Sequence, residues 1–283
     1  MSSRQSEPKG VALITGAAQG IGRAIALRLA DDGYDIAVND LQDMPELDEV
    51  IKTIEEKGRR ALATPGDVSE ELVVIEMIQR TVSTLGSLDV MVANAGIVIP
   101  EPFLETSVAA FDKQMAVNAR SVMLCYKYAA EQMIAQGRGG RIIGASSMAG
   151  KQGVDMLLAY SATKFAVRGM TQSAASSLGK HNITVNAYAP GGVETRILNV
   201  FDDFLEPLAG PRAGRDGLIK SSVVGRIGEP EEIAHLVSYL ASKEAGFITG
   251  QTVRAPLYVS TLSDLHIHRF RSTEVLILTS VLI

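Results

Sequence analysis

One periodicity constrains this chain more than any other feature. From Gly10 to about Gly250, apolar runs of strand length alternate with segments whose apolar residues recur at helical spacing, the pattern of repeated βα units. Strands are expected at 11–15, 34–39, 60–64, 88–93, 141–145 and 183–188, with a last one announced by the segment 246–253. Helices are expected at 21–32, 46–57, 70–85 with Ser69 as cap, 108–117, 122–136 and 159–178. Glu229-Pro230-Glu231-Glu232 opens another, with proline in the first turn and acids at the positive dipole end. Several strand runs are apolar on both faces, as a parallel sheet buried between two helix layers requires. The chain reads as an α/β protein with a doubly wound, Rossmann-like parallel sheet, one domain over residues 1–253.

Composition narrows the function classes. The 283 residues, 46% apolar and 21% charged, suit a folded domain with a large core rather than a disordered chain. A net charge of −5 gives no basic excess to attract nucleic acid. No apolar stretch reaches the roughly 18 residues of a membrane span, and the polar first ten residues lack the apolar core of a secretion signal, so a cytoplasmic protein is expected. The single cysteine, Cys125, has no intramolecular disulfide partner and reads as a core thiol.

Two regions carry chemistry. ThrGlyAlaAlaGlnGlyIleGly at 15–22 leaves the first strand and opens the first helix. Small residues there admit a pyrophosphate against free helix N–H groups and the positive dipole end; a tight packing turn is the plainer alternative. Asp40 ends the second strand, where a carboxylate accepts hydrogen bonds from an adenosine ribose and repels a 2′-phosphate. NAD is therefore favoured over NADP, unless Asp40 only organises the βα turn. Further on, Tyr160 and Lys164 lie four apart on one helix face, where an ammonium would lower the phenol pKa toward working pH and let it exchange a proton at a carbonyl. Tyr239 and Lys243 repeat that spacing, but only Tyr160 has a serine, Ser147, thirteen residues upstream just after a strand. The stretch from Gly191 to Gly217, rich in glycine and proline, reads as an active-site lid or a surface loop.

Thr15–Gly22, Asn94-Ala95-Gly96, Asn118, Ser147, Tyr160, Lys164 and Pro190-Gly191 occur in order, and with them the chain resembles the classical short-chain dehydrogenases/reductases over about residues 8–253. The resemblance implies Tyr160 as general acid/base, Lys164 on the nicotinamide ribose, Ser147 on the substrate carbonyl and Asn118 positioning a water behind Lys164. It implies cofactor contacts from Gly16, Gln19, Gly20, Ile21, Gly22, Asp40, Asp67 and Val68, and from Pro190, Gly191, Val193 and Thr195. Asn94 is assigned either to the cofactor or to tying the sheet together. Segments 165–172 and 182–191 are most similar to acetoin/diacetyl reductases, which act on diacetyl, acetoin and 2,3-butanediol with NAD(H); Met148 departs from the glutamine of some members. A 3-oxoacyl thioester reductase and an inactive dinucleotide-binding protein are the other readings. The family also implies a homo-tetramer and a small-molecule carbonyl or alcohol substrate.

The resemblance stops after Val253. Residues 254–283 are an atypical tail in which Pro256 interrupts the expected strand, and an altered reading frame or retained intron is expected to have produced it. His266 and His268 lack the further ligands that a metal site needs, so no metal is expected.

Overall fold

The computed structural model describes residues 7–41 and 45–256. Seven parallel strands form one sheet in the order β3-β2-β1-β4-β5-β6-β7. They are β1 (Val11–Thr15), β2 (Asp35–Asn39), β3 (Ala61–Ala63), β4 (Val90–Ala93), β5 (Gly140–Ala145), β6 (Ile183–Pro190) and β7 (Thr252–Ala255). The helices are α1 (Gly20–Asp31), α2 (Pro45–Glu56), α3 (Glu71–Leu85), α4 (Val108–Met115), α5 (Ser121–Gln136), α6 (Leu158–Leu178), α7 (Arg196–Ala209), α8 (Ala213–Ser221) and α9 (Pro230–Ala241). The doubly wound single-domain α/β fold expected from the sequence is what the chain forms. Among the described residues no helix is long and apolar enough to cross a membrane.

Alternation along each strand builds the two cores. Ala12 and Ile14 of β1 join Val90 and Val92 of β4 beneath Ile25 and Leu29 of α1, Val50 of α2 and Val237 of α9. Val11 and Leu13, with Met91 and Ala93, face the other way onto Met77 of α3, Leu124 and Met133 of α5 and Val167 of α6. Successive side chains point to opposite faces, so a strand apolar at every position must be covered twice. Cys125 is buried in the second core, and burial pushes its thiol up to about 12, which makes it inert. The Tyr239 copy of the tyrosine-lysine spacing stands exposed on α9.

Several elements differ from expectation. The cap of α3 is Glu70, not Ser69; Asp67 shapes that turn, its carboxylate accepting from Ser69 N at 2.8 Å and its carbonyl from Glu70 N. Residues 108–136 form one helical run through a π-helical turn, Ala116–Arg120, rather than two separate helices. The glycine- and proline-rich stretch is not a loop. It folds as α7 and α8, with Pro207 inside the last turns of α7 and Gly210 ending it. Gly214 lets the two helices cross closely, since a Cβ there would lie 2.9 Å from the Phe201 backbone. The last strand extends over Arg254 and Ala255, pairing Ala255 with Pro190, and Gly191 N donates to Ala255 O at 2.9 Å. Parallel pairing asks only for backbone groups, so unfamiliar side chains there do not end it, and Pro256 falls just outside the ladder. The remainder of the tail, with His266 and His268, lies outside the described residues.

One ion cluster pins the β3 edge. Asp35 of β2, 1% exposed, accepts from Arg59 Nη2 at 2.6 Å and from Arg60 Nε at 2.7 Å and N at 3.1 Å. Burial pushes its carboxyl upward, but hydrogen bonds from Arg60 and Arg59 outweigh this and hold it below the usual range. A depressed folded-state pKa gives stability that is complete above the unfolded value near ~3.9 and is lost as pH falls through the folded one. Replacing Asp35 with Ala is expected to cost ~3–5 kcal/mol, because it strips the carboxylate from a buried guanidinium. Urea unfolding at pH 7 measures that loss, and the variant should show a flatter decline in stability below pH 4.

Candidate active site

The strand order reverses between β1 and β4, and in such sheets ligands bind outside the carboxyl ends of the strands at that point. A cleft of about 490 Å³ opens there, lined by Gly16, Gln19, Asp40, Asp67, Tyr160 and Lys164 among others. Its floor is the turn from β1 into α1. Gly16 takes φ +64, and a Cβ on it would come 2.9 Å from Ala95 Cα; a Cβ on Gly22 would run into Gly16 O. Only glycine fits both places. The N-terminus of α1 thus lies at the cleft, with no acid in the first helical turn.

Most of the residues expected at a cofactor converge on this cleft. Gly16, Gln19, Gly20, Ile21, Gly22, Asp40, Asp67, Val68, Asn94, Tyr160, Lys164, Pro190 and Thr195 line it. Gln19 Oε1 is buried there without a hydrogen-bond partner. The Asp40 carboxylate accepts from Ala18 N and from Leu41 N, both at 2.9 Å, so it braces the glycine-rich turn as well as lining the cleft. Glycine cradle and helix terminus together fit a nucleotide pyrophosphate chain.

Gly191, Val193 and Ser147 line a second cavity instead, of about 380 Å³. Its walls are the turn after β5 (Ser147, Met148, Ala149), the segment 154–157 before α6, and α7 and α8. The two cavities share Ile21, Ser146, Tyr160, Pro190, Thr195 and Ile197, and of these only Tyr160 carries a titratable group. Lys164, one helical turn on, places Nζ 5.4 Å from the Tyr160 ring centre and donates to Ala145 O at 2.8 Å. Ser147 Oγ accepts from Ala149 N at 3.1 Å, which fixes the side chain at the seam.

Two of the expected residues are held by the scaffold. Asn94 Nδ2 donates to Thr15 O at 2.8 Å and Gly16 O at 3.0 Å, and its Oδ1 accepts from the Tyr188 hydroxyl at 2.7 Å. Of the two assignments, the hydrogen bonds show the sheet tie. Asn118, in the π-helical turn, lines neither cavity. Its amide accepts from Ile97 N and donates to Ile97 O, each at 2.8 Å. A Cβ on Gly96 would lie 3.3 Å from Asn118 Oδ1 and 3.5 Å from Lys164 Nζ, so the two side chains approach each other across that glycine. π turns of this kind recur at functional sites.

Residues 16–255 match the family model described as Enoyl-(Acyl carrier protein) reductase. A short-chain dehydrogenase/reductase of Armillaria gallica is 49% identical over 256 residues, covering 89% of this chain and 97% of that protein. The chain belongs to the short-chain dehydrogenases/reductases. An L-2,3-butanediol dehydrogenase of Corynebacterium glutamicum is 42% identical over 246 residues, 86% of this chain and 95% of that one. Among solved structures, levodione reductase superposes with a TM-score of 0.83 at 30% identity, over 88% of this chain and 97% of the other. This short-chain dehydrogenase/reductase is thus an oxidoreductase of CH–OH groups, in a family that works with a nicotinamide dinucleotide.

The electrostatics of its tyrosine reverse one expectation. Burial pushes Tyr160 up to about 12, against the downward pull of its hydrogen bond with Ser147. Burial also lowers Lys164 to about 8. The amine, still largely protonated at pH 7 and engaged with Ala145, does not offset the burial of the phenol, which stays protonated instead of being drawn toward phenolate.

Sequence reasoning offered a lid at 191–217 but missed that it is a helical pair. Arg215 of α8 donates to Glu194 Oε1 at 2.6 Å and Asn199 Oδ1 at 2.9 Å and pairs with Asp202, bracing α7 and α8 against the segment that leads into Thr195. The apolar spacing of Leu198, Phe201 and Leu205 was the available signal for a helix there. In the floor of the cleft, Gly22→Ala is expected to weaken NADH binding at least tenfold, since the displaced turn closes the pyrophosphate cradle. Titration of NADH fluorescence measures this, and unchanged affinity would contradict the cradle.

Proposed function

We propose that this chain interconverts a ketone and a secondary alcohol with NAD(H), with Tyr160 exchanging the proton. The observation that carries the reading is the position of Tyr160, which alone among the titratable groups of the described residues borders both the nucleotide cleft and the second cavity. The bound dinucleotide supplies or accepts the hydride. In reduction, Tyr160 donates its hydroxyl proton to the carbonyl oxygen as that oxygen gains charge, while Ser147 donates a hydrogen bond to the same oxygen. Lys164 holds the ribose beside Tyr160, and the Asn118 turn behind it positions water to restore the tyrosine proton. Pro190 and Thr195 flank the nicotinamide end of the cleft, with Gly191 and Val193 reaching the nicotinamide from the adjoining second cavity, and Asp67 and Val68 lie at the adenine end.

Asp40 supports NAD over NADP: a carboxylate at the end of β2 suits a ribose diol and repels a phosphate. Segments 165–172 and 182–191 and the butanediol dehydrogenase relative make diacetyl and acetoin the first carbonyl compounds to assay.

Tyr160→Phe is expected to lower turnover of diacetyl or acetoin by about 10²–10⁴-fold while retaining NADH binding; undiminished turnover sinks the assignment. Asp40→Ala should cut the kcat/KM preference for NADH over NADPH at least tenfold in steady-state assays. With the phenol raised to about 12, the base form needed for alcohol oxidation grows with pH. Oxidation should therefore climb from pH 7 to 10 while ketone reduction does not, and parallel profiles in the two directions would argue against Tyr160 as the proton carrier.

A further inference from the structure

We infer that the preferred substrate is a bulky, predominantly apolar monoketone or secondary alcohol rather than a four-carbon diketone. The inference rests on the carbonyl chemistry assigned to Tyr160 and adds what the far end of the second cavity requires. At about 380 Å³, that cavity has room for roughly a dozen waters at ~30 Å³ each; the nicotinamide end of the dinucleotide, flanked by Gly191, Val193 and Thr195, takes a share of them and diacetyl displaces only about five. A methylene fills nearly the volume of a water, so a carbon skeleton on the order of ten atoms matches the space.

The chemistry of the walls agrees with the size. Ser147 and Tyr160 gather at the end next to the nucleotide cleft, whereas α7 and α8 present Leu198, Phe201, Phe204, Leu205 and Leu218. Asp155, also on the lining, is exposed at the surface and accepts from Met156 N at 2.8 Å. Phe201, Phe204 and Leu205 are only half-buried, on a helix whose neighbouring Asp203 and Glu206 are exposed. Folding has left this apolar surface uncovered on the cavity side, and such surface marks a binding site. Met148 and Met156 complete the walls with side chains that adapt to irregular shapes. A short diketone leaves the α7 and α8 wall in contact with water. Each methylene laid against it should raise kcat/KM by roughly fourfold, the worth of a buried CH₂.

The experiment is a chain-length series at saturating NADH on the full chain: 2-butanone, 2-hexanone, 2-octanone and 2-decanone, with diacetyl alongside. 2-Butanone provides the chemical baseline, because the second carbonyl of diacetyl activates the first. We expect kcat/KM to rise at least fiftyfold from 2-butanone to 2-decanone, with 2-decanone exceeding diacetyl at least tenfold. Phe204→Asp should lower the ratio of 2-decanone to 2-butanone at least tenfold, and Phe204→Leu should restore most of it. Leu205→Asp, on the same wall, gives the same reading if Phe204→Asp fails to bind NADH. A series flat or falling with length, diacetyl preferred over 2-decanone, or a ratio unmoved in the variants overturns the inference. In that event the reading of Tyr160 survives provided that Tyr160→Phe abolishes the turnover observed. No turnover of any ketone by the wild type with either dinucleotide removes that reading, and the substrate class falls with it.

Discussion

The side chain of Asn94 joins three strands at the place where the sheet changes direction. Its amide nitrogen donates to the last carbonyls of β1, its carbonyl accepts from Tyr188 of β6, and its backbone N–H is taken by the Thr15 hydroxyl. At the carboxyl ends of parallel strands the ladder stops, and carbonyls and N–H groups would otherwise meet the cleft unpaired. Here one carboxamide satisfies the carbonyls of Thr15 and Gly16, and the Thr15 hydroxyl takes the N–H groups of Asn94 and Ala95. The same arrangement sets the height of the glycine-rich turn, because Gly16 O is one of its acceptors. It also fixes the floor of the cleft against β4 and β6.

From that junction the two cavities follow. The chain leaves β1 toward α1 and leaves β4 toward α4, so their ends diverge and open the nucleotide cleft between them. β5 and β6 supply Ser147 and Pro190 on the far side, and α6 brings Tyr160 and Lys164 in from beneath. The sheet fixes the reacting groups, whereas the helices inserted between β6 and α9 supply the remaining wall. Tyr160 lies where the rigid part meets the inserted part, and its desolvation there keeps the phenol in the acid form.

Much of this was legible in the residues. The strands could be read because burial on both faces leaves runs such as ValAlaLeuIleThr with no polar position, and β1, β4 and β6 lie within a few residues of where that pattern placed them. The glycine-rich turn was legible for a steric reason that acts locally. What stayed hidden depends on partners far along the chain. The scaffold role of Asn94 could not be read until Tyr188, 94 residues away, appeared beside it. The direction of the Tyr160 shift could not be read from a nearby lysine, because burial acts on both groups and no spacing reports burial. Glycines and prolines at 191–217 suggested a loop because composition was weighed there above the spacing of Leu198, Phe201 and Leu205. In the structure Gly214 serves helix crossing and Gly210 ends α7, so both residues that argued for a loop in fact shape a helical pair.

The α7 and α8 roof touches the rest of the molecule lightly. Among the described side chains of α7 only Leu198 and Asp202 are buried, and within α8 only Gly214, while Arg215 holds the pair to the segment before Thr195. Strands buried on both faces tolerate little change, since every side chain there contributes to a core. The roof is under no such restraint: most of its positions can drift at small cost to folding, and those facing the cavity alter which molecules it admits. An ancestral chain could therefore acquire a new substrate by substitutions confined to some twenty-five residues, leaving the sheet and its proton chemistry untouched. Selection for new metabolic roles has an inexpensive place to act in this molecule, set apart from the residues that keep it folded.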